Sequence, residues 1–391
     1  MRVAIITPML SHFEVPMYRL ASTFDGLDVR VFHTDLRDDA FYDRDYGRVI
    51  DWGERLRSGY AHVAAATAGE MQRAVLDWKP HIALMYGYAW RGALGLLARL
   101  RFAKTPVVHR GLLTPYMNVR RPGWLTRPWR FVQPHLLRRF QGHHYGGTYS
   151  QAVLNAASIP ASQTFFVPYS VDTAHFRACS DDPVCIRAAA RLKANLGWDG
   201  DAPVVLFMCQ HSAFKAPDVA LLATAELQKS IPNLKLIMAG SGQMTEPLKR
   251  LAHSKLISGS FHFPGFVASK KTPTYYLAAD LALFPSRYDT WSRGINESML
   301  ARRPCVVSRV VPAAGGLVDD QVTGYVVDDL TPDAFVKPVL SFFNAPGDAR
   351  QRMGAHARQR AEQFSYEANA TQLRASFEAT YDAYSARTGA A

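Results

Sequence analysis

The sequence predicts an α/β protein of two halves, each a parallel β-sheet wound by crossover helices. Three observations predict it: a length of 391 residues, short β-rich apolar runs separated by helical intervals, and a restart of that alternation after residue 200. A chain this long exceeds what one compact core usually holds, so two domains facing each other across a cleft are expected. Hydrophobic content of 48% with 21 Phe and 17 Tyr excludes extended disorder.

In the first half, Val3 to Thr7, Val29 to His33, Ile82 to Tyr86 and Pro106 to His109 are continuous apolar runs, as strands covered on both faces show. Ala65 to Trp78 and Ala89 to Leu100 read as helices from composition and periodicity. Residues 1–172 therefore form a Rossmann-like half. Its opening apolar run ends at Ser11 and His12, too early for a signal-peptide core or a membrane span. No later window reaches 18 uninterrupted apolar residues, and a cytoplasmic location is the expectation.

Ser180-Asp181-Asp182-Pro183 and the Gly197 to Asp201 stretch have the composition of connections, which sets a linker at 173–202. In the second half, 203–364, the strand candidates are Val204 to Cys209, Lys235 to Ala239, Phe261 to Phe263, Leu281 to Phe284 and Cys305 to Ser308. Between them, Val219, Leu222, Ala223, Leu227 and Ile231 mark one face of a helix over Pro217 to Ile231. From Ser365, a helix-capping residue, Tyr366, Ala370, Leu373, Phe377, Tyr381 and Tyr384 recur at helical spacing. Residues 365–391 are thus a terminal helix expected to cross back onto the first half.

A formal net charge of +12 points to an anionic partner. The densest basic stretch, Arg120 to Arg139, sets six arginines among Trp124, Trp129, Phe131 and Leu136. Basic plus aromatic suits an anionic membrane surface; a solvated helix face with its aromatics packed inward is the alternative. No helix-turn-helix, finger or ribonucleoprotein signature accompanies the charge, so no nucleic-acid partner is expected. Cys179, Cys185, Cys209 and Cys305 have neither CxxC nor ligand spacing, which indicates no zinc site and no disulfide framework.

Ligands of open α/β sheets bind beyond the carboxyl ends of the strands. After Leu281 to Phe284 comes Pro285-Ser286-Arg287-Tyr288-Asp289-Thr290-Trp291-Ser292-Arg293-Gly294-Ile295-Asn296-Glu297, a polar loop running into a helix. Asp289 and Glu297 lie eight residues apart, and the helix start presents free N–H groups that attract phosphate. A sugar diphosphate needs both carboxylate acceptors and N–H donors. Acids placed in a helix's first turns for dipole reasons alone are the other explanation.

The stretch resembles the Glu-x7-Glu signature of retaining glycosyltransferases of family 4. Lys215 resembles that family's phosphate-binding lysine, Ala239-Gly240-Ser241-Gly242 its glycine turn, and Phe263-Pro264-Gly265-Phe266-Val267 its base-contacting loop. Gly315-Gly316-Leu317-Val318 and Val322-Thr323-Gly324-Tyr325 match its closing pattern, and Val167-Pro168-Tyr169-Ser170-Val171-Asp172 its exit from the first domain. The resemblance is clear over 204–327 and looser elsewhere.

It implies the GT-B architecture and a nucleotide-sugar donor linked to UDP or GDP, with no cofactor and no metal. It also implies a glycan or lipid-linked acceptor in cell-envelope or exopolysaccharide assembly, with the enzyme at the inner face of the cell membrane. Carried over, Glu297 holds the donor ribose, Asp289 meets the sugar hydroxyls, and Lys215 neutralises the diphosphate. Phe266, Trp291, Ser292 and Arg293 complete the donor side. His109, closing a strand, takes the family's reaction-centre histidine position, and His12 and Glu14 fall on the acceptor side. His143 and His144 are read as starting a buried strand with their rings at the surface.

The departures are Asp289 for Glu, Ser292 for Gly, and Cys209-Gln210 where the family's arginine precedes the lysine. The loop Met9 to Pro16 also lacks its paired glycines. Arg287 or Arg293 is left to replace the arginine. Two rival functions share the fold: a sugar-nucleotide epimerase or phosphorylase, and a scaffold without turnover.

Overall fold

The computed structural model describes residues 1–37, 39–43, 48–51, 55–111, 113, 131–289 and 291–389. The chain forms two compact units: Met1–Asp39 with Glu54–Tyr169 and Tyr366–Ala391, and Ala40–Gly53 with Ser170–Ser365.

The strands of the first part of the chain are β1 Arg2–Thr7, β2 Asp28–His33, β3 Ala40–Asp43, β4 Arg48–Asp51, β5 His62–Ala64, β6 Ile82–Tyr86, β7 Val107–Arg110, β8 Gly142–Tyr145 and β9 Thr164–Phe166. Seven of them make one parallel sheet in the order β5-β2-β1-β6-β7-β8-β9. The remaining pair, β3 and β4, is an antiparallel hairpin belonging to the second unit. Ile5, Ala83, Leu84 and Val108 in the central strands are fully buried, which explains why those segments are uniformly apolar.

The second sheet has the order β12-β11-β10-β13-β14-β15, all parallel. Its strands are β10 Val204–Met208, β11 Lys235–Ala239, β12 Phe261–Gly265, β13 Leu281–Phe284, β14 Cys305–Ser308 and β15 Gly324–Val327. Helices Pro217–Leu227 and Pro332–Asn344 pack on one face through Val219, Leu221, Leu227, Phe335 and Val339.

Residues 173–202, expected as a connection, instead carry helices Thr173–Asp181 and Pro183–Asn195 of the second unit. Asp172 and Asp182 explain it: each carboxylate caps the helix that follows, accepting from His175 N and Val184 N. The acidic turn is a pair of helix starts.

The terminal helix, Tyr366–Thr388, belongs to the first unit. Ala370, Leu373 and Phe377 enter the core holding Val3, Ile5, Val29 and Ile82, and the helix lies against Val15–Ala21. No helix among the described residues is long and apolar enough to cross a membrane.

Candidate functional site

In the second sheet the strand order reverses between β10 and β13, which are hydrogen-bonded neighbours. Such a switch point opens a crevice at the carboxyl ends of the two strands. Lys215, in the loop after β10, and Asp289, in the loop after β13, meet there with Nζ to Oδ2 at 2.6 Å. The Asp289 side chain is 2% exposed and that of Lys215 is 21% exposed, so the pair is reachable from the lysine side. Burial alone would push the Lys215 ammonium down; the Asp289 charge outweighs it and leaves the ammonium above its ordinary value. Ser286 Oγ at 3.4 Å and the Trp291 N–H at 3.3 Å also donate to Asp289.

Glu297 lies in helix Arg293–Leu300 and accepts from Tyr276 Oη at 3.2 Å. Burial pushes its carboxyl above the ordinary range, against the charge of Arg293 and the Tyr276 hydroxyl. Gly294 makes this packing fit, since a Cβ there would sit 2.9 Å from the Phe284 ring and 3.2 Å from Tyr276 Oη. Ser292 caps the helix at φ +66°, the left-handed region that favours glycine. Trp291 is buried against Phe364, and its Nε1 donates to Asn296 Oδ1 at 2.9 Å. These contacts make Trp291 a support for the loop. Phe266 is half-buried just past β12, following Gly265 at φ +76°.

Two neighbouring loops are fastened backbone to backbone. His211 N donates to Ser241 O and Met244 N to His211 O, both at 3.0 Å. The approach requires glycine: a Cβ on Gly240 would lie 1.9 Å from Cys209 O, and one on Gly242 2.6 Å from His211 O. Arg287 turns away from the Lys215–Asp289 pair, with Nη1 and Nη2 on Asp218 at 3.1 and 3.0 Å. Its backbone N–H donates to Phe214 O at 2.7 Å, so Arg287 ties the β13 loop to the β10 loop. That leaves Arg293 as the candidate for the missing phosphate arginine.

The first sheet reverses order between β1 and β6, and a second residue pair spans that point. Tyr86 Oη donates to Glu14 Oε2 at 2.8 Å, and Arg110 Nη2 donates to Glu14 Oε1 at 3.0 Å. Arg110 Nη1 also reaches Val167 O at 2.8 Å. Burial opposes the charge on Arg110, and Glu14 more than restores it, leaving its pKa raised. Both oxygens of Glu14 are committed to these partners, and His12, expected beside it, is half-buried and edge-on to Phe13. Sequence reasoning passed over Tyr276 and Arg110. A tyrosine in an apolar helix reads as core, whereas an arginine closing a buried strand is a charge that demands a partner.

His109 is 1% exposed beneath Tyr88, Phe140 and His143. Neither ring nitrogen has a hydrogen-bond partner among the described residues. Burial and the neighbouring His143 hold its pKa well below the ordinary value. Gly111 gives the ring room, since a Cβ there would sit 2.7 Å from Nε2. The rings of His143 and His144 are buried, correcting the expectation that they lie at the surface. Because β8 is covered on both faces, alternation turns both residues into core, and His144 Nε2 meets Ser376 Oγ at 2.8 Å. Of the Arg120 to Arg139 stretch, 120–130 lie outside the described residues; 131–137 are helical, with Phe131 77% exposed and Leu137 fully buried. Among the described residues no group of three or more His, Cys, Asp or Glu could hold a metal ion.

Residues 189–360, which contain Lys215, Asp289 and Glu297, match the family model Glycosyl transferases group 1. This region of the second unit is thus similar to the glycosyl transferases of group 1. Among curated relatives, the D-inositol 3-phosphate glycosyltransferase of Segniliparus rotundus is 31% identical over 220 residues, covering 54% of this chain and 46% of that protein. The GDP-mannose-dependent alpha-(1-6)-phosphatidylinositol monomannoside mannosyltransferase of Mycolicibacterium smegmatis is 27% identical over 197 residues, covering 49% of this chain and 50% of that protein. The chain spans about half the length of the curated relatives it matches.

Solved structures match over nearly the whole chain. HepE of Anabaena in complex with UDP and glucose has TM-score 0.68 at 16% identity, covering 97% of this chain and 99% of that one. WaaG, a glycosyltransferase involved in lipopolysaccharide biosynthesis, has TM-score 0.66 at 15% identity, with 97% and 99% covered. At such identities the likeness shows the fold, the two-unit GT-B architecture.

Proposed function

We propose that the protein is a retaining, metal-independent glycosyltransferase of family 4, moving a sugar from a UDP- or GDP-linked donor to a glycan or lipid-linked acceptor. The observation that carries this reading is the Lys215–Asp289 ion pair across the switch point, with Glu297 one helix turn beyond it. A nucleoside diphosphate leaving group gains negative charge at the transition state, where a fixed cation helps most. Lys215 supplies it, joined by Arg293 at the start of helix Arg293–Leu300. Asp289, released from Lys215 by the incoming phosphate, accepts from the sugar hydroxyls. Glu297, oriented by Tyr276, accepts from the ribose, and Phe266 meets the base.

The second half, 203–364, takes the donor and the first, 1–172, the acceptor. The similar D-inositol 3-phosphate glycosyltransferase and phosphatidylinositol monomannoside mannosyltransferase support a phosphorylated or lipid-linked acceptor in cell-envelope assembly. His12 belongs to the acceptor side. His109, whose ring nitrogens are buried without partners among the described residues, meets a substrate hydroxyl as a neutral ring. Displacement on one face of the sugar, with a donor phosphate oxygen taking the acceptor proton, needs no protein nucleophile, and positioning supplies much of the rate. Arg120 to Arg139 holds the enzyme on an anionic membrane surface at the cytoplasmic face.

The test is a thermal-shift panel of UDP, GDP, ADP, TDP and their sugar conjugates on wild type and Glu297→Ala. A ligand that binds only the folded state raises its melting temperature. One nucleotide stabilising wild type and not the variant names the base and supports the site. No shift with any nucleotide, in folded protein, favours a scaffold without turnover.

A further inference from the structure

The second unit has a pocket of about 530 Å³ at the end of its sheet away from the Lys215–Asp289 pair. Asp280 immediately precedes β13, and Arg302 and Arg303 precede β14; in an all-parallel sheet these residues mark the amino ends of the strands. Phe342, Arg350 and Gln351 complete the wall. Three arginines thus line one cavity, against a single lining carboxylate whose Oδ2 already accepts from Val204 N at 2.8 Å.

Their settings differ. Arg303 donates from Nε to Tyr276 O at 3.2 Å and from Nη2 to Leu277 O at 3.1 Å. Those bonds fix the guanidinium without neutralising it, and among the described residues no carboxylate lies within ion-pair distance. Burial pulls its pKa down from the ordinary value, with Asp280 only partly offsetting that. A half-buried charge only partly offset by its neighbour is unfavourable, and an anion in the pocket would complete the offset. Arg303 also lines a second pocket of about 350 Å³, so open space reaches it from both sides.

Arg350 lies over the Phe342 ring at 6.0 Å, likewise with no carboxylate at ion-pair distance among the described residues. Arg302 pairs with Asp181 at 3.2 Å and is 51% exposed, so solvent screens that pair. Its backbone holds φ +58°, where glycine would be unstrained. Gly354 fixes the spacing of the cluster, because a Cβ there would sit 2.6 Å from Arg302 O. Helix Gly347–Glu362, which carries Arg350, is thereby seated directly on the Arg302-Arg303 turn.

We propose that this pocket is a second phosphate site, independent of sugar transfer, taking the phosphate of a small ester or diphosphate. Planar guanidinium forks match phosphate oxygens, and a concave wall of three arginines can contact several of them at once. Inorganic pyrophosphate is the first probe, titrated by calorimetry into full-length Lys215→Ala, whose proposed donor site has lost its cation. One site is expected. Arg302→Gly in that background removes a guanidinium while relaxing a strained backbone, so folding is retained, and the affinity should fall about fivefold or more. Arg350→Glu should abolish binding.

Vesicles of phosphatidylcholine with phosphatidate are the second probe and separate the two sources of phosphate. Pyrophosphate binding assigns a diffusible ligand. Sedimentation with the vesicles, abolished by Arg350→Glu and without pyrophosphate binding, assigns a lipid headgroup. Binding of neither probe, or affinities unchanged in both variants, overturns the site.

Discussion

Acidification from pH 7 to pH 5 is expected to weaken the first unit more than the second. Burial, chiefly, holds His33, His143 and His211 at about 4 against an ordinary 6.5. Between those values the folded protein binds fewer protons than the unfolded chain. The stability from each neutral ring is therefore complete above pH 6.5 and lost as the pH falls toward 4. Each histidine then gives up about 2 kcal/mol between pH 7 and pH 5. The first unit holds His33 and His143, a loss of about 4 kcal/mol, and His109 and His144 are depressed in the same direction. The second unit holds His211, about 2 kcal/mol, with His262 depressed in the same direction by burial. There the raised Glu297 carboxyl acts oppositely, because its folded state takes up a proton more readily as the pH falls.

At ~2–4 °C per kcal/mol for units of this size, the first unit's transition should drop by roughly 8–16 °C and the second's by less than about 8 °C. Scanning calorimetry at pH 7 and pH 5 reads the transitions, and hydrogen-exchange mass spectrometry assigns them by peptide. His143→Leu should shrink the first unit's drop by roughly 4–8 °C. Equal drops in both units, or a drop untouched by His143→Leu, would refute the reasoning.

Four other outcomes are expected. Ser292→Gly relaxes a residue at φ +66° and should stabilise the second unit by about 0.5–1 kcal/mol after glycine's own entropy cost, read as a rise in melting temperature. Gly294→Ala places a Cβ 2.9 Å from the Phe284 ring and 3.2 Å from Tyr276 Oη, so nucleotide binding should weaken about tenfold or more by calorimetry while the first unit melts unchanged. Asp289→Asn should bind UDP or GDP several-fold more tightly yet transfer no sugar, because Lys215 no longer has to leave a carboxylate 2.6 Å away; weaker nucleotide binding would contradict this. Arg110→Met strands the buried Glu14 and should cost about 3–5 kcal/mol in urea unfolding, where a loss under about 1 kcal/mol would mean that the network is dispensable.

Strands buried on both faces were the most legible part of the sequence. Lys235–Ala239, Leu281–Phe284 and Cys305–Ser308 are found where their apolar runs place them, because a central parallel strand has no solvent side to interrupt the pattern. The edge strands His62–Ala64 and Thr164–Phe166 escaped notice, since three residues of which none is fully buried leave no such run. Gly142–Tyr145 was read as a buried strand, but the burial of its two histidine rings was not, because it depends on the covering Ser376 and Phe140, which local periodicity does not register. At the candidate site, Asp289 was legible from its place after a strand and Lys215 through the family resemblance, whereas their meeting, 74 positions apart in sequence, was not. The inward turn of Glu14 and the diversion of Arg287 to Asp218 were not, because both are set by partners on other elements.

The terminal helix has a consequence for how the chain is made. Ala370, Leu373 and Phe377 cover Val3, Ile5, Val29 and Ile82, yet residues 170–365, nearly all of the second unit, are translated between the sheet and its cover. At ~5–20 residues per second the ribosome takes roughly 10–40 s over that stretch, during which the first sheet waits with one apolar face incomplete. The unit that begins first is therefore finished last. A nascent chain paused within residues 170–365 would offer that bare face to a chaperone, and one stopped before Tyr366 would never withdraw it.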